Sequence, residues 1–224
     1  MAAALGVTFY DENSESFIPR GGTLRKIVRV DAGGIDNRVS GSRFTVMCDV
    51  DNPLFGENGA AYIYGPQKGA NAEQVVELDN GLRHFGMVIN AQYGKDFSKI
   101  PGAGAAGGLG AGCMAFLGAE LMSGIDAILK LCRFREHIAD ADLIITGEGK
   151  LDMQSFSGKV LSGIMREAGG VPVWSICGIC DCDKEFLWEH GVRAFETSEG
   201  SSVEESMGDP EKFLRITTQK AMKP

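Results

Sequence analysis

The apolar positions of this 224-residue chain follow a helical period in the middle and a strand–helix alternation in the last third. From Asn71 onward Val75, Leu78, Leu82, Phe85 and Ile89 step by three and four, which lines one face of a helix. Asn71 with Gln74 three residues later predicts a capping box at its start, and Gly94 a C-terminal stop. His84 lies off that stripe and reads as a solvated side chain. Cys113–Leu121 predicts a short apolar helix. A second follows, with Ser123 as cap and Ile125, Ile128, Leu129 and Cys132 facing inward. Beyond it, Asp142–Thr146 reads as a strand buried on both faces, Ser157–Ala168 as an amphipathic helix and Val171–Cys177 as a further buried strand. A helix at Lys184–His190, a strand at Val192–Thr197 and a helix within Val203–Met222, interrupted near Pro210, complete the alternation. That order predicts a parallel three-layer α/β unit with right-handed crossovers, although three strands make a thin sheet. Before Thr45 the rhythm is weaker; Val7–Tyr10, Lys26–Val30 and Phe44–Asp49 read as strands.

Composition narrows the class. Glycine is 31 of 224 residues, about 14% and roughly twice its usual share. No three-residue period accompanies it and there are only 7 prolines, which excludes collagen-like and low-complexity chains. A net charge of −8 argues against binding the phosphate backbone of nucleic acid. No apolar run approaches the ~20 residues of a membrane span, and the first residues carry no basic leader, so a cytoplasmic protein is expected. Six cysteines are too few for a disulfide scaffold of this length.

The glycines concentrate at Gly56–Gly69, Gly102–Gly112 and Gly147–Gly158, which suggests a site built from loops. Gly102-Ala-Gly104-Ala-Ala-Gly107 matches the dinucleotide fingerprint, but its lead-in, Lys95–Pro101, is polar and ends in proline. A glycine turn opening a helix and meeting an anion, or close packing on small residues, fits better. No P-loop occurs. Asp49 and Asp51, alternating at the end of a strand before Asn52-Pro53, would point to one side, as Mg²⁺ or a hydroxylated substrate requires; solvated acids in an Asx turn are the alternative. Gly65-Pro-Gln67-Lys68-Gly69 holds a lysine in a rigid turn, a phosphate candidate. The densest polar set is Glu148, Lys150, Asp152, Gln154 and Lys159, read as leaving the carboxyl end of a buried strand, where open α/β sheets bind ligands. Cys177, Cys180 and Cys182 lack a second pair to complete a structural zinc site and read as incidental thiols.

Together CDVDNPLFGENGA, YGPQKGA, PGAGAAGGLGAG, FLGAEL, ADLIITGEGKLDMQSFSGK and GVPV resemble the bacterial glycerate kinase family in order and spacing, from about residue 5 to the C-terminus. The resemblance implies ATP-dependent phosphorylation of D-glycerate with Mg²⁺, commonly at the 2-hydroxyl to give 2-phosphoglycerate, with 3-phosphoglycerate as the other product. It implies two α/β domains, one Rossmann-like α/β/α with a parallel sheet, the other inserted into it. Residues 1–120 would be part of the inserted domain and 121–224 the C-terminal half of the Rossmann-like one. The D-S-F-K-G-type and G-G-S-A-T-N-D-G-G-type motifs of the family's N-terminal third are not found, so a truncated chain is expected. A non-catalytic fragment needing an N-terminal piece is the alternative reading, and self-association through an incomplete sheet a further expectation. A nucleotide-cofactor oxidoreductase is the third. At the matching motif positions, residue chemistry assigns Glu148 or Asp152 as base or metal ligand, Lys68 to catalysis, and Asp49 and Asp51 to Mg²⁺ or substrate hydroxyls. Asn52, Gln67, Gly104, Gly107, Gly108, Lys150, Gln154 and Lys159 would bind substrate or nucleotide.

Overall fold

Two units with separate cores make up the structure, a computed structural model describing residues 1–156 and 158–223; the first is Met1–Gly124 and the second runs from Ile125 onward. The chain is mixed α/β with parallel strands in both units.

The first unit opens with β1 (Thr8–Tyr10), β2 (Ser16–Phe17) and β3 (Arg29–Asp31), an antiparallel sheet in which Phe9 lies opposite both Phe17 and Val30. A 3₁₀ turn at Gly21–Lys26 precedes β3, so the strand expected at Lys26–Val30 starts later. After the one-turn α1 (Asn37–Ser40) comes β4 (Thr45–Met47), two residues short of the expected end at Asp49. Between β4 and its parallel partner β5 (Glu120–Met122) lie α2 (Ala60–Tyr64), α3 (Ala72–Tyr93) and α4 (Ala105–Leu117).

The caps that predict α3 form as expected. Asn71 Oδ1 accepts the Gln74 N–H and Gln74 Oε1 accepts the Asn71 N–H, each at 2.9 Å, and Gly94 ends the helix at φ +64°. Its face buries Val75, Leu82, Phe85 and Ile89 against Phe9, Ile27, Leu54 and Phe116. Full burial of a side chain the size of Ile89 contributes ~1.5–3 kcal/mol over leaving it exposed. His84 is not simply solvated: packing of α3 on the 3₁₀ turn brings its Nε2 within 2.6 Å of the Ile27 carbonyl. Nor does the apolar helix reach Leu121. Gly118, left-handed at φ +62°, stops it at Leu117, and the Glu120 N–H donates to the Phe44 carbonyl, which turns the next residues into β5.

The second unit runs α5 (Gly124–Leu131), α6 (Phe134–His137), β6 (Ile144–Leu151), α7 (Val160–Glu167), β7 (Val173–Cys180), α8 (Lys184–Glu189), β8 (Val192–Glu196), α9 (Val203–Gly208) and α10 (Pro210–Ala221). Among the described residues its sheet has the order β6-β7-β8, all parallel, with Ile144, Val173 and Val192 in register. The expected alternation and the break at Pro210 are present; Asp209 caps α10 by accepting the Lys212 N–H. The expected start of α7 at Ser157 lies outside the described residues, and Lys159 is its N-cap.

Three local expectations need correction. Gly147 and Gly149 adopt strand geometry, so β6 continues to Leu151 where a loop was expected, and β7 follows it to Cys180. Among the described residues β6 lies at the edge of its sheet with Ile145 47% exposed, and is not a strand buried on both faces. On α5 Leu129 is buried and Ile125 packs beside it, but Ile128 is exposed, as is Cys132 just past the helix. No helix among the described residues is long and apolar enough to cross a membrane.

Candidate functional site

In the first unit the acidic loop and the glycine-rich turn form one structure. Asn52 joins them: its Nδ2 donates to the Asn58 carbonyl (2.8 Å), its Oδ1 accepts the Tyr64 hydroxyl (2.6 Å), and its own carbonyl accepts the Gly104 N–H (2.9 Å). A Cβ on Gly104 would stand 2.2 Å from the Pro53 carbonyl oxygen, and one on Gly110 2.2 Å from that of Gly102. These glycines let backbone lie on backbone. Gly107 and Gly108 take left-handed φ angles, +75° and +96°, and both donate their N–H to the Gly104 carbonyl. The three glycines assigned to ligand binding therefore use their N–H groups inside the protein. Residues 94–101 form no strand, so the dinucleotide fingerprint lacks its structural setting.

Because β4 ends at Met47, strand alternation does not set the sides of Asp49 and Asp51. Asp49 Oδ1 accepts the Gly124 N–H at 2.7 Å, and Asp51 is exposed. Among the described residues no three His, Cys, Asp or Glu side chains gather as a metal site. Mg²⁺ carried by ATP needs only one or two carboxylates beside phosphate oxygens and water, a donor set that two carboxylates on one loop can supply.

Lys68 sits in a rigid turn, as expected. Residues Pro66–Lys68 form a 3₁₀ turn closed by Gly69 at φ +91°, with Gln67 exposed beside it. The Lys68 Nζ lies 6.0 Å from the Tyr64 ring centre. Both residues line a cavity of about 280 Å³ whose other walls include Ala61, Leu78, Leu82 and Gly107.

In the second unit Glu148 and Lys150 are on β6 itself, paired with Cys177 and Ile179 of β7. Glu148 is half-buried, and its Oε1 is enclosed without a hydrogen-bond partner. Lys150 is committed: Asp181 lies 2.9 Å from its Nζ, and that hydrogen bond and charge raise the lysine above its ordinary range. Asp152 opens the turn after β6. Its Oδ1 accepts the Gln154 N–H (2.9 Å), and Gln154 Oε1 accepts from Lys159 Nζ (3.3 Å). Buried Ser155 braces the turn, its hydroxyl taking the Asp152 N–H and donating to the Lys150 carbonyl. The structure thus gathers Lys150, Asp152, Gln154 and Lys159 around one turn, with Glu148 on the strand leading in. The three cysteine thiols point at the carbonyls of Phe195, Cys182 and Leu151, and burial pushes Cys177 up to about 12.

Two residues that shape these sites escape a reading of spacing alone. Asp79, 5% exposed, accepts the Gly56 N–H at 2.6 Å and ties the acidic loop to α3. Its signal was a carboxylate four residues after Val75 and three before Leu82, on the apolar stripe. Asp181 meets Lys150 only through strand register, which no local pattern reveals.

A sequence model described as "Glycerate kinase family" matches residues 1–224. A glycerate kinase of Halalkalibacterium halodurans is 46% identical over 196 residues, 87% of this chain and 52% of the relative. A glycerate 2-kinase of Escherichia coli is 45% identical over 87% of this chain and 51% of its own length. A crystal structure from Salmonella typhimurium LT2, described as a putative glycerate kinase 2, superposes with a TM-score of 0.80 at 34% identity, over 99% of this chain and 58% of that one. The chain spans about half the length of the curated relatives it matches. On the match along its whole sequence, it belongs to the glycerate kinase family.

Proposed function

We propose that this chain carries the phosphoryl-transfer chemistry of a glycerate kinase: ATP phosphorylates D-glycerate, at the 2-hydroxyl, to give 2-phosphoglycerate and ADP. The observation that carries the reading is the family match along the whole sequence. The hydroxyl oxygen of glycerate attacks the γ-phosphorus, the bond to the β–γ bridging oxygen breaks with its electron pair leaving on ADP, and the hydroxyl proton passes to a carboxylate. We assign that task to Glu148, the motif carboxylate that is half-buried on β6 with its Oε1 enclosed and without a hydrogen-bond partner. Asp152, already oriented by Gln154, positions the turn that presents Lys159. Lys159 and Lys68 supply positive charge for phosphate or the glycerate carboxylate. Asp49 and Asp51 are the residues assigned to Mg²⁺, which when bound neutralises phosphate charge. The protein is read as cytoplasmic from its sequence.

The test is ³¹P NMR of a reaction with ATP, Mg²⁺ and D-glycerate. A 2-phosphoglycerate resonance growing with ADP supports the reading, a 3-phosphoglycerate resonance moves the site of transfer, and no phosphoglycerate contradicts it for the chain alone. A second reading rests on the chain's share of its relatives' length: catalysis then requires a separate polypeptide supplying the remaining motifs. Activity appearing only when that polypeptide is added would select it.

A further inference from the structure

The 280 Å³ cavity of the first unit has a composition that the acidic and glycine motifs do not explain. Apolar residues make up most of its lining, among them Leu24, Ala60, Ala61, Leu78 and Leu82, together with Tyr64. Lys68 is the one charged residue lining it among the described residues. The Tyr64 hydroxyl is already spent on Asn52, which leaves the ring as an apolar wall. Gly107 contributes bare backbone in a left-handed turn, and a Cβ there would meet nothing within 4 Å, so the cavity mouth is open at that point. The volume lies just below the ~300–1,000 Å³ of ligand cavities, which is room for one ring system and not for a whole nucleotide.

An apolar cavity with one lysine and no lining carboxylate selects a ligand with an apolar end and an anionic end. Of the two substrates in the proposed reaction only the nucleotide has that shape, since glycerate has no apolar body. We infer that this cavity is the nucleoside-base subsite: the purine sits between Tyr64, Leu78 and Leu82, and Lys68 faces the anionic part of the nucleotide. The inference rests on the phosphoryl-transfer reading and adds to it where the base binds. It also carries a specificity. With no uncommitted polar group on a lining side chain other than Lys68, the pocket grips the base by shape and dispersion, so adenine and guanine nucleotides bind with affinities within a few-fold of each other.

The experiment uses the full chain and a photoreactive 8-azido-ADP, with the labelled peptides mapped by mass spectrometry. Label in the peptides carrying residues 60–70 or 78–82, competed by ADP and by GDP at similar concentrations, is the expected result. In parallel, Ala61→Phe should weaken ADP binding by tenfold or more by filling the cavity, and Lys68→Ala should weaken ADP by a larger factor than adenosine. Label confined to peptides 144–180, or no competable label, overturns the assignment. So does ADP affinity unchanged in a folded Ala61→Phe. Because photolabelling needs no variant, a misfolded Ala61→Phe leaves the test intact. Glycerate-dependent turnover with unchanged ADP binding in Ala61→Phe would remove this subsite and leave the kinase reading standing.

Discussion

The first unit's glycine-rich turn and the second unit's strand β6 both carry closely spaced glycines, yet those glycines serve opposite ends. At Gly102, Gly104 and Gly110 a side chain would strike neighbouring atoms, mostly backbone, at 2.2–2.8 Å. Gly147 and Gly149 run in an open edge strand, where a Cβ on Gly149 would meet nothing within 4 Å and one on Gly147 only an ordinary contact at 3.5 Å. The first group builds the scaffold that fixes the acidic loop. The other leaves space beside the charged residues of β6. Two clusters of the same residue therefore differ in whether the missing side chain makes room for the protein or for something else.

Substitutions can break that contrast, and the largest effect falls on the second unit. Glu148→Gln keeps the shape of the strand and removes the proton acceptor, so turnover should fall by ~10²–10⁴-fold. Asp152→Asn should cost ~10²-fold through the turn that it orders. Its circular dichroism and melting temperature should stay near those of the unchanged protein, and a normal rate in either variant removes that residue from the mechanism. On the first unit, Gly104→Val forces a Cβ against the Pro53 carbonyl and should destabilise that unit by ~1–3 kcal/mol. Gly149→Ala, with open space around it, should be neutral or stabilising by up to ~1 kcal/mol. Denaturant melts that rank these two in the reverse order would end the comparison.

Much of the fold was legible in the chain, for a physical reason. α3 was predictable because its start and stop are local: Asn71, Gln74 and Gly94 lie within reach of the backbone groups they satisfy. The alternation in the second unit was equally legible, since buried strands and amphipathic helices have distinct periods. The end of β6 was not. Glycines on both sides of Glu148 read as a loop, yet pairing with β7 carries them on as strand, and pairing is a long-range choice. The same limit hid the partner of Lys150, which register alone brings to Asp181. Asp49 and Asp51 shared a motif but not a strand, so their common direction could not be had from alternation.

A smaller effect sharpens the view of the second unit's core. Burial first, and nearby charge after it, raise the Cys177 thiol from its ordinary 9.0 to about 12. A group whose pKa is raised on folding adds stability that is fully present below the unfolded value and lost as pH rises toward the folded one. The second unit should therefore lose stability between about pH 9 and pH 12. At pH 8 iodoacetamide should modify exposed Cys132 well before Cys177. Equal labelling of the two by mass spectrometry would contradict the buried position.

In the proposed reaction the chain transfers phosphate from ATP to glycerate with Glu148 as the proton acceptor. Its most direct test is the rate of ADP release with ATP and Mg²⁺, measured with and without D-glycerate, for the unchanged protein and for Glu148→Gln. ADP release should depend on D-glycerate and fall by ~10²-fold or more in the variant. ADP release independent of D-glycerate, or equal in the two proteins, would contradict it.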